Sequence, residues 1–365
     1  MGRQQSEMTP AAERQIAVRR TGGRAALAGS FLLAALALTP APALAGAVTY
    51  TPVTTTVNGL DMTIFTKPTD NGGALRITSM GKQLWFGEHD TGDIVRFTTA
   101  GVGKFFAIPS SGAVPLAITR GPDNKIWFTI WNQALIGNVT PAGVFTLFST
   151  GTAQTLSNDI VKGPDGNLWF VTDRMGLGRT TTAGVTQFFS TLTDSSQTTG
   201  LAVGPDKNMW YVQCCQSMPQ VGRMATDGSG VTQFDVGFAT QSFSFGIASD
   251  HGRIWFCDPV HRRIGRIDVN GAGLTFFDVG LTGDPQAIIA GPDGNLYFGE
   301  TQSQIGRISP TGTITEFAIP GDAGTTNFPV LGLTIGPDKN IWFANNAHSQ
   351  IGMLNLTPPA VEAAP

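Results

Sequence analysis

The chain has 365 residues, of which 13% are charged, and a formal net charge of -3. The first 45 residues hold five of the 23 basic and two of the 26 acidic residues, so the remainder has a net charge of about -6. A mildly acidic chain without a basic run lacks the electrostatic footprint of a nucleic-acid or anionic-membrane binder, which excludes both partners from our expectations.

The first 45 residues have the pattern of a secretory signal peptide. Four arginines between residues 14 and 24 precede an apolar run over residues 25–38, which is short for a bilayer span, and Ala43-Leu44-Ala45 offers a small-residue cleavage site. Arg19-Arg20 leaves the twin-arginine route open beside the Sec route, and an uncleaved anchor is the alternative. We expect a secreted or periplasmic bacterial protein whose residues 46–365 form a single domain.

An aromatic pair then recurs seven times, at spacings of 42, 42, 41, 45, 42 and 45 residues. The pairs are Trp85-Phe86, Trp127-Phe128, Trp169-Phe170, Trp210-Tyr211, Trp255-Phe256, Tyr297-Phe298 and Trp342-Phe343. A period in the low forties is typical of one four-stranded propeller blade. The predicted fold class is all-β, a seven-bladed β-propeller of four-stranded antiparallel blades.

Each repeat has the same internal order, with strands named a to d from the axis outward. Strand a precedes a Gly-Pro-Asp turn in most repeats, strand b holds the aromatic pair, strand c has the Ile-Gly-Arg pattern, and strand d alternates. The chain ends after a strand c, while residues 62–65 match the pattern of a strand d. We therefore expect this N-terminal strand to complete the last blade and close the ring.

The b–c and d–a connections vary in length and lie at one end of the propeller, where we expect function. Their candidate residues include Glu88, Trp131, Asp258, His261, Asp284 and Glu300. Carboxylates that converge there are suited to a hard divalent cation, and a histidine such as His261 is suited to proton transfer. The alternative for each residue is a solvated loop position or a hydrogen-bond partner for a loop amide.

Three cysteines are present, Cys214 and Cys215 side by side and Cys257 in the next blade. An exported protein favours a disulfide, either between the two blades or between the neighbours in sequence. Buried unpaired thiols are the alternative.

The blade sequence Gly-Pro-Asp-Gly-Asn-Leu-Trp-Phe at 163–170, its counterpart at 291–298 and the run that follows at 305–317 resemble the virginiamycin B lyase, or streptogramin lyase, family. The resemblance covers all seven repeats, roughly residues 60–356. It implies a metal-dependent carbon-oxygen lyase that linearises cyclic depsipeptides, with Mg²⁺ held by carboxylates and a histidine that moves the proton.

On that pattern, Asp284 and Glu300 of the sixth blade correspond to the metal ligands. Gln286 replaces the catalytic histidine, and a substrate-binding histidine expected one blade earlier falls near Phe245. An amide does not titrate near neutral pH, so the resemblance implies altered chemistry, with His261 of the adjacent blade as the candidate base. The predicted substrate contacts are Gln286, Phe245, Glu88 and Trp131.

Two functions stay open from the sequence. One is an exported monomer that acts on a small ester, lactone or depsipeptide-like ligand at the channel mouth with Mg²⁺ as cofactor. The other is a non-enzymatic secreted module that binds a small molecule, glycan, peptide or protein.

Overall fold

The structure is a computed structural model of the chain. It describes residues 47–69, 73–151, 156–172, 175–191, 197–214, 220–237, 246–278, 280–321, 330–346 and 349–357. The predicted signal peptide, residues 1–45, lies outside these ranges. The described residues fall within one compact unit, and none of their helical segments is long and apolar enough to cross a membrane.

The described strands form seven antiparallel sheets, as the repeat predicts. Three strands precede the repeats: β1 Ala47–Thr49, β2 Thr51–Val57 and β3 Leu60–Thr66. Blade 1 contains β4 Ala74–Met80, β5 Gln83–Glu88, β6 Asp93–Thr98 and β7 Val102–Ala107. Blade 2 contains β8 Pro115–Arg120, β9 Ile126–Ile130, β10 Leu135–Val139 and β11 Phe145–Ser149. Blade 3 contains β12 Leu156–Lys162, β13 Leu168–Thr172, β14 Leu177–Thr180 and β15 Thr186–Phe189.

The remaining blades follow the same order along the chain. Blades 4 and 5 contain β16 Gln197–Val203, β17 Met209–Cys214, β18 Gln220–Met224, β19 Thr232–Asp235; and β20 Ile247–Asp250, β21 Arg253–Asp258, β22 Arg263–Asp268, β23 Thr275–Phe277. Blades 6 and 7 contain β24 Pro285–Ala290, β25 Leu296–Glu300, β26 Gln304–Ile308, β27 Ile314–Ala318; and β28 Gly332–Ile335, β29 Ile341–Asn345, β30 Gln350–Leu354.

The ring closes through the N-terminal strands, and it does so twice. Strand β3 pairs with β30, with Met62 opposite Leu354, which confirms the predicted closure. In addition, β2 pairs with β3 and β1 pairs with β7 of blade 1, so the last and first blades have five strands instead of the predicted four. Tyr50, between β1 and β2, is buried with its ring edge-on to Phe97 at 4.9 Å. Strands β1, β2 and β3 therefore join blade 7 to blade 1.

The repeated motif is explained by packing within and between blades. In blade 3, Asp165 Oδ1 accepts the Trp169 Nε1–H bond at 3.1 Å. Arg179 of the Ile-Gly-Arg position lies over the Trp169 ring and donates to Thr226 O of the next blade at 2.7 Å. Equivalent arginine bonds to the following blade are Arg96 to Pro141 O, Arg223 to Val269 O and Arg266 to Pro310 O. The consensus residues are thus committed to the scaffold.

The glycine of strand c makes room for the aromatic ring of strand b. A Cβ on Gly306 would lie 2.0 Å from Cζ of Phe298, closer than any real contact, so a larger residue would have to displace the ring. The strand b tryptophans face the next blade, as Trp85 does against Ile118 and Phe128. The a strands line a central channel of about 370 Å³.

Candidate active site

The second residue after each aromatic pair is buried in every blade and polar in six of the seven. These residues are Glu88, Ile130, Thr172, Gln213, Asp258, Glu300 and Asn345. Buried polar groups need partners, and the neighbouring connections supply them. Thr172 Oγ1 donates to Gly176 O at 3.0 Å, and Gln213 Nε2 donates to Thr191 Oγ1 at 2.7 Å. The position therefore ties strand b to an adjoining loop.

Glu88 follows that rule with a charged partner. Lys67 Nζ lies 2.8 Å from Oε2, which also accepts from Thr91 Oγ1 at 3.2 Å, while Tyr50 OH donates to Oε1 at 3.3 Å. Burial raises the pKa of Glu88, and the hydrogen bond and charge of Lys67 oppose that shift. A substrate that contacts Glu88, as the sequence predicts, would have to displace one of these donors.

Glu300 occupies the equivalent position in blade 6 with far fewer partners. Its side chain is 0% exposed, Oε2 accepts the Gly283 N–H at 2.9 Å, and Oε1 accepts no hydrogen bond from the described residues. Burial first, and then the negative charge of Glu316, raise the pKa of Glu300 to about 8, with a smaller contribution from Asp284.

Asp284 lies at the same end of blade 6, because it immediately precedes Pro285, which pairs with Glu300. Its backbone is fixed by Thr301, whose N–H donates to Asp284 O at 3.0 Å and whose Oγ1 accepts from Asp284 N at 2.7 Å. The carboxylate is 38% exposed and accepts from Arg262 Nε at 2.9 Å. Asp284 is thus accessible and already holds an arginine.

The donor set fits a hard cation with few protein ligands. Within the described ranges, no group of three or more His, Cys, Asp or Glu side chains could hold a metal ion. Mg²⁺, however, is commonly bound by one or two carboxylates and several waters. The unpartnered Oε1 of Glu300 and the accessible Asp284 fit such an ion, and Arg262 is the group it would displace.

Gln286 lies in β24 where the pairing with β25 is irregular, between Pro285 and Ala287. Its side chain is buried. Its amide is able to donate and accept hydrogen bonds but not to take up a proton near neutral pH.

His261 lies in the b–c turn of blade 5, between β21 and β22. Its side chain is 41% exposed, and Nδ1 is 2.8 Å from Oδ2 of the fully buried Asp258. The same oxygen accepts from Arg263 Nε at 2.7 Å. Arg262, the next residue, holds Asp284, so this turn lies against the entrance to blade 6.

The other described histidines are engaged differently. His89 uses both ring nitrogens, Nδ1 with Gly73 O at 2.8 Å and Nε2 with Asp90 at 2.8 Å. His251 contacts Asp250 in the a–b turn of blade 5, at the opposite end of the propeller. Of the three, His261 alone combines a place at the b–c end with a ring nitrogen that has no partner among the described residues.

Trp131 is 48% exposed directly after β9, where a ligand has access to its ring. The neighbouring Asn132 clamps a loop, because its Oδ1 accepts from Val114 N and its Nδ2 donates to Gly112 O. The predicted contact Phe245 lies outside the described residues, so its place in the site stays a prediction.

The states of Cys214 and Cys257 exclude one of the predicted disulfides. Cys214 is disulfide-bonded, whereas Cys257 is a free, buried thiol. The predicted bridge between the two blades is therefore wrong, because Cys257 points into the packing against Gly246 instead. Cys215 lies outside the described residues.

Lys67, Arg76 and Arg262 are charged residues that sequence reasoning missed and that shape this part of the molecule. Lys67 and Arg262 lie in connections without any local motif. Arg76 and Asp159 lie on a strands that line the channel, where Arg76 Nη1 donates to Leu331 O at 2.7 Å and Asp159 accepts from Leu201 N at 3.0 Å. Burial lowers the pKa of Arg76 and raises that of Asp159, and their mutual attraction opposes both shifts. A charged residue on a strand that lines the channel was the available signal.

These features define a closed seven-bladed propeller with an acidic site at one mouth. The profile of the virginiamycin B lyase family matches residues 45–240 and 214–361, so the chain belongs to that family. No curated protein sequence matches it.

Similar solved structures include a streptogramin B lyase, at 27% identity and a TM-score of 0.72 over 81% of this chain and 97% of that one. A catalytically inactive histidine variant of virginiamycin B lyase from Staphylococcus aureus, with quinupristin, has 25% identity and a TM-score of 0.72 over 82% of this chain and 100% of that one. The WD40 propeller domain of Doa1, at 8% identity and a TM-score of 0.63 over 87% of this chain and 99% of that one, shares the fold alone.

Proposed function

We propose that the protein is a divalent-cation-assisted carbon-oxygen lyase that opens a small ester, lactone or depsipeptide-like ring at the b–c end of the propeller. The observation that carries the proposal is the buried Glu300, whose Oε1 has no donor in the described part of the chain, beside the accessible Asp284. Membership of the lyase family supports the reaction type.

Asp284 and Glu300 would hold the cation, for which Mg²⁺ is the candidate. Such an ion acts as a Lewis acid that polarises a carbonyl group and so acidifies the neighbouring C–H bond. Glu300 must lose its proton to bind the ion, and Asp284 must release Arg262. The released guanidinium stays at the rim, where it can donate to an acyl oxygen of the substrate.

His261 is the proposed base. Its Nε2, which has no partner in the described part of the chain, takes the proton from the carbon next to the substrate carbonyl. The electron pair of that C–H bond forms a carbon-carbon double bond, the adjacent C–O bond breaks, and the carboxylate leaves with the electrons of that bond. No water is consumed, and the Gln286 amide would orient the substrate.

The test is product analysis with residues 46–365, Mg²⁺ and a panel of lactones and cyclic depsipeptides. Elimination gives a ring-opened product of unchanged mass with a new double bond, whereas hydrolysis adds one water. The Asp284→Asn, Glu300→Gln double variant is expected to lose this activity. Asp268→Asn, which disrupts an ion pair with Arg253 elsewhere in blade 5, is the matched control and is expected to keep it. Full activity in the double variant would contradict the proposal.

The second candidate is a non-enzymatic ligand-binding module, and the exposed Trp131 favours it. An accessible indole is a typical platform for a sugar ring or an apolar ligand. A ligand that binds the native fold raises its melting temperature, so a thermal-shift screen with oligosaccharides and peptides tests this function. A stabilising ligand whose effect disappears in Trp131→Ala, with no turnover, would favour the module over the lyase.

A further inference from the structure

Asp258 is a buried carboxylate at the strand position that elsewhere ties strand b to a loop, and here its partner is a histidine. His261 Nδ1 lies 2.8 Å from Asp258 Oδ2, and Asp258 is 0% exposed. An ionised carboxylate only accepts hydrogen bonds, so Nδ1 must be the donor in this pair. A neutral His261 then has its proton on Nδ1 and its lone pair on Nε2.

Arg263 makes contacts that hold the Asp258 carboxyl in place. Arg263 Nε donates to the same Oδ2 at 2.7 Å. The Arg263 guanidinium stacks on the Phe276 ring at 3.6 Å from its centroid, and its Nη2 contacts Gly237 O at 3.4 Å. The carboxylate is therefore held between a fixed cation and the imidazole.

We infer that Asp258 is a positioning residue that fixes the tautomer and orientation of His261, so that Nε2 presents its lone pair at the mouth of the site. Free imidazole side chains favour the opposite tautomer, with the proton on Nε2. Without Asp258, the nitrogen at the exposed edge of the ring would therefore more often be a donor than a base. The catalytic consequence rests on the proposed function, whereas the tautomer itself is measured independently of it.

The decisive variant is Asp258→Ala, which removes the oxygen that accepts from both His261 Nδ1 and Arg263 Nε. Asp258→Asn is the conservative variant, because its amide oxygen can take the place of Oδ2 and accept from both donors. The proton of His261 is expected to move to Nε2 in Asp258→Ala and to stay on Nδ1 in Asp258→Asn.

The readout is ¹⁵N NMR of histidine-labelled protein at about pH 9, where an ordinary imidazole is neutral. His261→Gln assigns the resonances. We expect a protonated Nδ1 in the wild type and in Asp258→Asn, and a protonated Nε2 in Asp258→Ala. Asp250→Asn, which alters the His251 pair at the other end, is the matched control and is expected to leave His261 unchanged. A wild-type His261 protonated on Nε2, or no change in Asp258→Ala, would overturn the inference.

Two arms keep the test decisive. If Asp258→Ala does not fold, the wild-type tautomer alone decides, with Nδ1–H supporting the inference and Nε2–H overturning it. Where a substrate is turned over, Asp258→Ala is expected to lower kcat at least 100-fold with little change in KM, and Asp258→Asn is expected to lower it less. A kcat in Asp258→Ala equal to that of the wild type would contradict the catalytic role. Absence of turnover in every variant counts against the proposed function and leaves the NMR result to judge the tautomer.

Discussion

Glu88 in blade 1 and Glu300 in blade 6 occupy the same position, two residues after the aromatic pair of strand b, and both are fully buried. Glu88 is neutralised by Lys67 and accepts bonds from Tyr50 and Thr91. Glu300 accepts one backbone bond and, within the described ranges, forms no ion pair. The comparison teaches that the same frame position has a full set of partners in one blade and, among the described residues, a single hydrogen bond in another.

The physical difference lies in the partners and not in the depth of burial. Burial raises the pKa of both carboxyls, but among the described residues only Glu88 has a nearby cation to oppose the shift. Around Glu300 the neighbouring charges of Glu316 and Asp284 are negative and reinforce it. A group that is costly to ionise without a counterion is a reasonable place for a divalent cation, since the ion supplies the missing charge.

The largest expected effect is on the scaffold side of the comparison. Lys67→Met leaves the Glu88 charge buried without its partner, and the free energy of unfolding is expected to fall by about 3–5 kcal/mol. Urea unfolding measures this. Lys82→Met, at an exposed lysine in the a–b turn of the same blade, is the control and should change stability by less than about 0.5 kcal/mol. Equal losses of unfolding free energy in the two variants would show that the pair of Lys67 and Glu88 does not stabilise the fold.

The next largest effect is the pH dependence of the unfolding free energy that Glu300 causes in the absence of divalent cations. Its folded pKa, about 8, is above the ordinary value of 4.5, so the folded state prefers the protonated form. This contribution to stability is fully present below about pH 4.5 and is lost as the pH rises through 8, by a few kcal/mol.

Glu300→Gln removes that dependence. The difference in unfolding free energy between pH 5 and pH 9 should be smaller in the variant, which should be more stable than the wild type at pH 9. Denaturant titrations at both pH values measure it. Parallel pH profiles for the two proteins would show that Glu300 is not the buried acid described here.

The smallest effect concerns Arg262, which competes with a cation for Asp284. The pair is exposed, with side-chain exposures of 52% and 38%, and exposed pairs contribute at most about 1 kcal/mol. Arg262→Gln should therefore tighten Mg²⁺ binding a few-fold by calorimetry. Arg253→Gln, which removes a similarly exposed pair with Asp268, should leave it unchanged. Weaker binding in Arg262→Gln would mean that the arginine supports the site.

The fold was predictable because the blade motif encodes its own packing. The Gly-Pro-Asp turn, the aromatic pair and the Ile-Gly-Arg strand each have a local structural task, and the strand d pattern of residues 62–65 was sufficient for the closure. Strands β1 and β2 were missed, since Thr51–Val57 is almost wholly exposed and lacks an alternating apolar pattern.

The site was predictable only in outline. The repeat predicts the strand order, and the strand order places Asp284 and Glu300 at the same end of blade 6. The strand order does not predict the pairs of Lys67 with Glu88 and of Arg262 with Asp284, because their side-chain directions depend on the geometry of separate connections. Arg262 itself has φ of +51°, a left-handed turn conformation that no sequence signal indicated.

The most direct test of the difference between the two glutamates is calorimetric titration of Mg²⁺ into residues 46–365 as wild type, Glu300→Gln and Glu88→Gln. We predict one site in the wild type that is lost in Glu300→Gln and kept in folded Glu88→Gln. At pH 7, binding should release about one proton, seen as a heat that depends on the buffer, because the pKa of Glu300 is about 8. Unchanged binding in Glu300→Gln would contradict the account.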